Sequence, residues 1–331
     1  MRITFFSAKP YDISFFKEHN KENQELIFHE VPLDIHSVQL ANNSTAVCVF
    51  VNDKVDAVVM EMLSKIGIKY IALRCAGFNN IDLVAAKTLG IKVCRVPAYS
   101  PEAVAEHAVA LLLTLNRKTH KAYNRVREQN FSLNGLLGFD LYGKTVGVVG
   151  TGNIGAAFAK IMIGFGCKVL AFDVVANKQL ETLGVEYVPL IELFNQADIV
   201  SLHCPLNNQT KHIIQKDTLQ MMKNGVFIIN TSRGGLVNTK DVIDGLKQQK
   251  IGALALDVYE QEEHLFFNDL SDVIIEDDEI QRLMSFPNVL ITAHQAFFTN
   301  EALTEIALKT FDNLNQLAVS GNISDKAALL A

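Results

Sequence analysis

The sequence predicts an α/β protein built from two parallel-sheet units, and three observations carry that prediction. Short runs rich in β-branched residues alternate with longer helix-periodic stretches, the pattern of βαβ units. At 331 residues the chain exceeds what one ordinary core supports, so two domains are expected. The run VGVVGTGNIG at 146–155 sets an apolar strand directly before Gly150-x-Gly152-x-x-Gly155, and this turn lies in mid-chain. The residues before it therefore have room to form a unit of their own.

In the first hundred residues the predicted strands are 2–6 (RITFF), 46–51 (AVCVFV), 69–73 (KYIAL) and 91–94 (IKVC), with helical patterns at about 54–66 and 81–89. Ser100-Pro101-Glu102 then announces a long helix: serine caps, proline suits the first helical position, and an early acid suits the dipole. Its first part, AVAEHAVALLLTL, is apolar on nearly every side. One domain is not expected to cover it, so a subunit or interdomain position is predicted. The second part, 117–128, is rich in Arg and Lys and should reach solvent. From 145 the alternation restarts, with strands at 145–149, 168–172, 198–202, 226–230, 253–257 and 289–291. Six strands suffice for a doubly wound sheet. The tail from about 299 reads as one amphipathic helix.

Composition excludes several classes. Hydrophobic residues at 49% and charged residues at 20% fit a soluble globular protein, not a disordered one. A net charge of -6 offers no basic footprint for nucleic acid. The five cysteines (Cys48, Cys75, Cys94, Cys167, Cys204) form no Cys-x-x-Cys pair and lie in or beside apolar runs, which reads as buried reduced thiols in a reducing compartment. No metal site is expected. The N-terminal MRITFFSAKP is too short an apolar run for a signal peptide, and 103–115 falls short of the roughly 20 residues of a membrane span. A cytoplasmic protein with no membrane partner is expected.

The glycine turn gains weight from its flanks, because KTVGVV precedes it as a strand and AAFAKIMIGFG follows as a helix. Glycine lets the backbone approach a pyrophosphate, and the helix N-terminus supplies amides and a favourable dipole. Asp173 closes the next strand, KVLAFD. A carboxylate there accepts both ribose hydroxyls and repels a 2'-phosphate, which favours NAD over NADP.

Three later residues lie just past predicted strand ends, where open α/β sheets keep their ligands. Arg233 follows VFIIN, Glu262 follows ALALDVYEQ, and His294 follows NVLIT. Each alone has a structural explanation: arginines pair with surface acids, and histidines satisfy loops. Together they supply what hydride transfer to a ketone needs. Negative charge grows on the oxygen, and an imidazole can protonate it. A neighbouring carboxylate stabilises the imidazolium form. Arginine grips a substrate carboxylate with two prongs. A 2-oxo acid would engage all three groups.

On these residues the chain resembles the D-2-hydroxyacid dehydrogenases, and within them the bacterial D-lactate dehydrogenase branch. The resemblance spans essentially the whole chain, through LRCAGFNNID at 73–82, VPAYSPEAVAEHA at 96–108, VGVVGTGNIG, ADIVSLHCPL at 197–206, MKNGVFIINTSRGGLV at 222–237, LDVYEQE at 256–262 and NVLITAHQAFFT at 288–299. It implies two Rossmann-like or flavodoxin-like domains, each a parallel sheet flanked by helices, with the active site in the cleft between them. The substrate domain would be discontinuous, 1–99 and 299–331, and 100–298 would bind NAD. His294 would be the acid/base, Glu262 its partner and Arg233 the substrate anchor. Glu260 and Glu263 flank Glu262, and the spacing favours Glu262. The formate dehydrogenase branch carries glutamine at that carboxylate's place. Ala76 and Gly77 would offer amides to the substrate carboxylate, Tyr99 would reach the same group, and Phe297 would line a small side-chain pocket. Gly150, Gly152, Asn153, Ile154 and Gly155 would lie at the pyrophosphate and Asp173 at the ribose. Cys204, Pro205, Thr210, Thr231, Ser232 and Asp257 would border the rest, Cys204 and Cys75 serving mainly as packing residues.

The expected reaction is reversible reduction of pyruvate to D-lactate by NADH, in a homodimer or homotetramer. Rival substrates are phenylpyruvate, branched 2-oxo acids, hydroxypyruvate and glyoxylate. From another class comes an NADH-responsive binding protein of the corepressor type.

Overall fold

Five parallel strands form the sheet of the first unit: β1 (Arg2–Phe5), β2 (Glu25–Phe28), β3 (Ala46–Val49), β4 (Tyr70–Leu73) and β5 (Lys92–Arg95), in the order β2-β1-β3-β4-β5. The computed structural model describes residues 1–331, the side chain of His264 excepted. Two units divide the chain, Met1–Ser100 with Phe298–Ala331, and Pro101–Phe297. In the first, β3 buries all four of its residues, as a strand covered on both faces must. Helix Asn300–Ser320 packs on β4 and β5 and against helix Pro10–Glu18, where Phe16 and Phe311 meet edge to face at 5.5 Å. The end of the chain then pairs with β5, the Val93 amide donating to the Ala331 carbonyl. Strand β2 was not predicted. As an edge strand with one neighbour and no buried residue, ELIF lacks the continuous apolar signature of its neighbours.

Seven parallel strands form the second sheet: β6 (Thr145–Val149), β7 (Lys168–Phe172), β8 (Glu186–Tyr187), β9 (Ile199–Leu202), β10 (Val226–Asn230), β11 (Ile251–Leu256) and β12 (Val289–Ile291). Their order is β12-β11-β10-β9-β6-β7-β8. Chain direction across the sheet reverses between β6 and β9, and ligands of such sheets bind beyond the carboxyl ends at that switch point. The two-residue edge strand β8 adds a seventh member to the six expected.

The long helix expected over 101–128 is two helices. Pro101–Arg117 ends at Lys118, which adopts a left-handed φ of 51°, and Thr119–Arg127 follows with no buried residue. Tertiary contacts hold the break. Asn116 exchanges two hydrogen bonds with the Phe139 backbone, at 2.8 and 2.9 Å, and Lys118 Nζ donates to the carbonyls of Gly135 and Leu137. The first helix is also better covered than its composition suggested. Ala108, Leu111, Leu112 and Leu115 belong to the same core as Val146, Val148 and Phe158 of this unit. The exposed apolar residues lie further on: Tyr123, Val126, Phe131, Leu133, Leu137 and Tyr142. None of the five cysteines is in a disulfide, and four are buried. Among the described residues, no helix is long and apolar enough to cross a membrane.

Candidate active site and cofactor turn

Two of the three glycines after β6 are required by the protein's own packing, and the third is not. Gly150 has φ +93°, and a Cβ there would stand 2.6 Å from the Cys204 amide nitrogen. A Cβ on Gly155 would fall 1.9 Å from the Gly150 carbonyl oxygen, so helix Asn153–Gly164 can approach the turn only without it. Gly152 is different: nothing in the protein lies within 4 Å of such a Cβ. No internal contact requires glycine at 152, and open space lies above it. Gly152 caps the helix with no side-chain acceptor, which leaves the amides of Asn153 and Ile154 directed at that space. Unpaired helix-end amides beside open space suit an anion such as a pyrophosphate. At the end of β10, the buried Thr231 hydroxyl has no partner within the protein, as expected of a group reserved for a ligand.

Asp173 follows β7. Its Oδ2 accepts the Thr151 amide at 2.6 Å, and its Oδ1 accepts the Val174 amide at 2.7 Å. Burial acts to raise its pKa, but these amide bonds outweigh it and hold the carboxyl below the ordinary range. The group is an anion at the edge of the turn.

His294 and Glu262 meet. His294 Nδ1 lies 2.8 Å from Glu262 Oε1, and about a fifth of each side chain is exposed. The other Glu262 oxygen accepts the Tyr259 amide at 2.9 Å. The bond to Glu262 uses Nδ1 and leaves Nε2 on the other side of the ring. Glu260 points elsewhere, to His212 at 2.6 Å and Thr239 at 3.1 Å. The Phe267 ring lies 5.8 Å from the imidazole, a neighbour no motif marked.

Asp257, expected at the cofactor rim, is fully buried, and its carboxylate faces the backbone of the loop carrying His294. It accepts the amides of Gln295 and Ala296, both at 2.9 Å, and the Thr292 hydroxyl at 2.5 Å. His107 joins from helix Pro101–Arg117, with Nε2 at 3.1 Å from Thr292 Oγ1 and 3.4 Å from Asp257 Oδ1. Neither His107 nor Thr292 had been singled out, because their partners are distant in sequence.

Arg233 sits in extended backbone after β10, with Nη1 donating to the Ser232 carbonyl at 2.6 Å. The next residue shows how its segment is placed: a Cβ on Gly234 would lie 2.1 Å from the Tyr259 carbonyl. The Arg233 segment thus runs against the one that leads to Glu262. Ser232 Oγ donates to the Cys204 carbonyl at 2.8 Å, joining the ends of β9 and β10, while burial pushes the Cys204 thiol up to about 11. The Thr210 hydroxyl is engaged inside its own loop, donating to the Pro205 carbonyl at 2.6 Å. Phe297 is buried at the end of this unit.

In the first unit, Ala76 and Gly77 follow β4 on a segment fixed from below. Arg74 is 1% exposed and donates to the Ser7 carbonyl at 2.8 Å and to the Asp12 carboxylate at 3.3 Å. Arg95 Nη1 donates to the Ala76 carbonyl at 2.7 Å, and Cys75 Sγ to the Gly77 carbonyl at 3.3 Å. Tyr99 lies past the end of β5.

A switch-point glycine turn with a carboxylate at its edge and a carboxylate-paired imidazole fits a dinucleotide-dependent dehydrogenase by its chemistry. Comparison with known proteins narrows the class. Residues 109–296 match the D-isomer specific 2-hydroxyacid dehydrogenase, NAD binding domain, family. The chain is 55% identical over 323 residues to 2-hydroxyacid dehydrogenase A of Aspergillus oryzae, covering 96% of this chain and 93% of the relative. It is 52% identical over 318 residues to D-lactate dehydrogenase of Escherichia coli, covering 96% and 97%. A structure described as the pyruvate reductase of Chlamydomonas reinhardtii superposes with a TM-score of 0.93 at 44% identity, covering 98% of each chain. The chain therefore belongs to the D-isomer specific 2-hydroxyacid dehydrogenase family, and its cofactor is NAD.

Proposed function

We propose that the protein is an NAD-dependent D-lactate dehydrogenase that reversibly reduces pyruvate to D-lactate. The observation that carries this reading is the His294–Glu262 pair, 2.8 Å apart, next to a segment that presents Arg233. The relatives named for D-lactate and pyruvate support the substrate, whereas the general name of the Aspergillus relative leaves it open. NADH, when bound, supplies the hydride for the carbonyl carbon. Arg233 grips the substrate carboxylate in a fork and draws electron density from the carbonyl. His294 Nε2 delivers a proton to the oxygen as charge develops there and takes it back in the reverse reaction. Glu262 holds the imidazole in orientation through Nδ1 and balances its charge while protonated. Ala76, Gly77, Tyr99 and Phe297 complete the contacts to substrate, and Asn153, Ile154, Pro205, Thr210, Thr231 and Ser232 those to cofactor.

The exposed apolar side chains of Phe131, Leu133, Leu137 and Tyr142, with Tyr123 and Val126, support a homo-oligomer, and two copies related by symmetry are its simplest form. Five cysteines with no disulfide among them support a reducing, cytoplasmic setting.

The test is NADH oxidation with pyruvate, phenylpyruvate, branched 2-oxo acids and hydroxypyruvate, and NAD reduction with D- and L-lactate separately. Fastest turnover with pyruvate and with D-lactate alone is expected. Preference for a larger 2-oxo acid would move the substrate and leave the proton-transfer chemistry. NADH binding without turnover would favour an NADH-responsive binding protein.

A further inference from the structure

Strand β8 contributes one side chain to the cofactor turn. The Tyr187 hydroxyl accepts the Asn177 amide at 2.9 Å and lies 2.9 Å from Thr151 Oγ1. Thr151, between Gly150 and Gly152 and nearly fully buried, donates its hydroxyl to Asp173 Oδ2 at 3.1 Å, beside its own amide at 2.6 Å. The donors can run in only one direction. The Asn177 amide must donate to Tyr187, so Tyr187 donates to Thr151, and Thr151 donates to the carboxylate, which can only accept. Each bond in such a chain polarises the next, and the accumulated polarisation ends on Asp173. The other oxygen is fixed by the amides of Val174 at 2.7 Å and Val175 at 3.4 Å. The two residues that follow the acid are valines, 88% and 75% exposed, which offer a 2'-phosphate no charge.

We propose that Tyr187 and Thr151 are positioning residues for cofactor choice: they lock the Asp173 carboxylate against the glycine turn, in the one orientation that accepts a ribose diol and repels a 2'-phosphate. The inference rests on Asp173 facing the adenosine ribose. Without the two hydroxyls the carboxylate keeps its amide bonds but is held less tightly and swings more widely about its side-chain bonds. It then loses geometry toward the diol and can turn away from a phosphate, so discrimination falls from both sides.

The experiment is calorimetric titration of the cofactor-free protein with NADH and with NADPH, read as the ratio of the two dissociation constants. Tyr187→Phe and Thr151→Val should each narrow that ratio by about 3- to 10-fold, the scale of one lost hydrogen bond. Thr151→Ser keeps the hydroxyl and should restore it. The double variant should be no worse than Thr151→Val alone, since one break already interrupts the chain. Thermal unfolding of each variant checks folding. Asp173→Asn separates the two readings. If Asp173→Asn narrows the ratio while Tyr187→Phe and Thr151→Val leave it intact, the positioning role is overturned and the ribose assignment stands. A ratio unmoved by Asp173→Asn overturns both.

Discussion

Asp257 and His294 are joined through the backbone: the His294 amide donates to the Asp257 carbonyl at 2.7 Å, while the Asp257 carboxylate takes the amides of the next two residues. His294 itself is held at φ +53°, a left-handed conformation that non-glycine residues seldom adopt. The buried carboxylate is what makes this loop shape stable, and the shape sets where the imidazole stands. Asparagine at 257 would keep one acceptor and turn an N–H toward a backbone N–H. Asp257→Asn should therefore cost about 1–3 kcal/mol in denaturant unfolding and lower kcat by up to about a hundredfold through displacement of His294. Wild-type stability and turnover in that variant would show that the loop holds itself.

The glycine turn predicts two opposite outcomes from one kind of substitution. Gly155→Ala forces a Cβ into the Gly150 carbonyl and should destabilise the fold by about 1–3 kcal/mol or more. Gly152→Ala meets no protein atom, so its unfolding free energy should stay within about 0.5 kcal/mol of wild type while NADH affinity drops. Equal NADH affinity in Gly152→Ala and wild type would mean that the pyrophosphate does not lie over this turn.

Arg233→Lys keeps the charge and removes the fork. Loss of a two-pronged charged hydrogen bond, about 1.5–3 kcal/mol, should raise the KM for pyruvate by roughly 10- to 100-fold with little change in NADH affinity. Steady-state kinetics at saturating NADH measure it, and an unchanged KM would place the anchor elsewhere.

His203 gives the protein an acid-sensitive element. It follows β9, with Nε2 2.9 Å from Ser201 Oγ and its ring 4.9 Å from that of Phe158. The residue as a whole keeps partial exposure, but Nδ1 is sealed from solvent without a partner. Burial pushes its pKa from 6.5 down to about 3. Below 6.5 the unfolded chain takes up a proton that the folded chain refuses until about pH 3, so unfolding is favoured as pH falls through that window. The contribution is fully present above 6.5. Urea unfolding of cofactor-free protein at pH 7 and pH 5 should show a larger loss in wild type than in His203→Gln, by about 1–2 kcal/mol and at most about 1.4 kcal/mol per pH unit. Parallel losses in the two proteins would assign the acid sensitivity to other groups.

Much of this fold could be read from the chain because parallel strands covered on both faces leave unbroken apolar runs, as in AVCV of β3 and VFIIN of β10. The edge strands β2 and β8 could not, since half-exposed ELIF and EY carry no such run. Nor could the break at Lys118, where the local sequence still favours helix and Asn116 and Phe139 decide the matter through tertiary contact. The same division holds at the site. Arg233, Glu262 and His294 declare themselves by following strand ends. The supports under them do not, because His107 and Thr292 are 185 residues apart and Thr151 and Tyr187 are 36 apart. Only the folded chain makes those pairs neighbours.

The most direct test of the central claim is pyruvate-dependent NADH oxidation by wild type and His294→Gln, with NADH affinity measured on both proteins. Glutamine cannot donate and recover the proton, so kcat should fall by about 10²- to 10⁴-fold while NADH binds as in wild type. Turnover at the wild-type rate in His294→Gln would contradict the assignment of His294 as the acid/base.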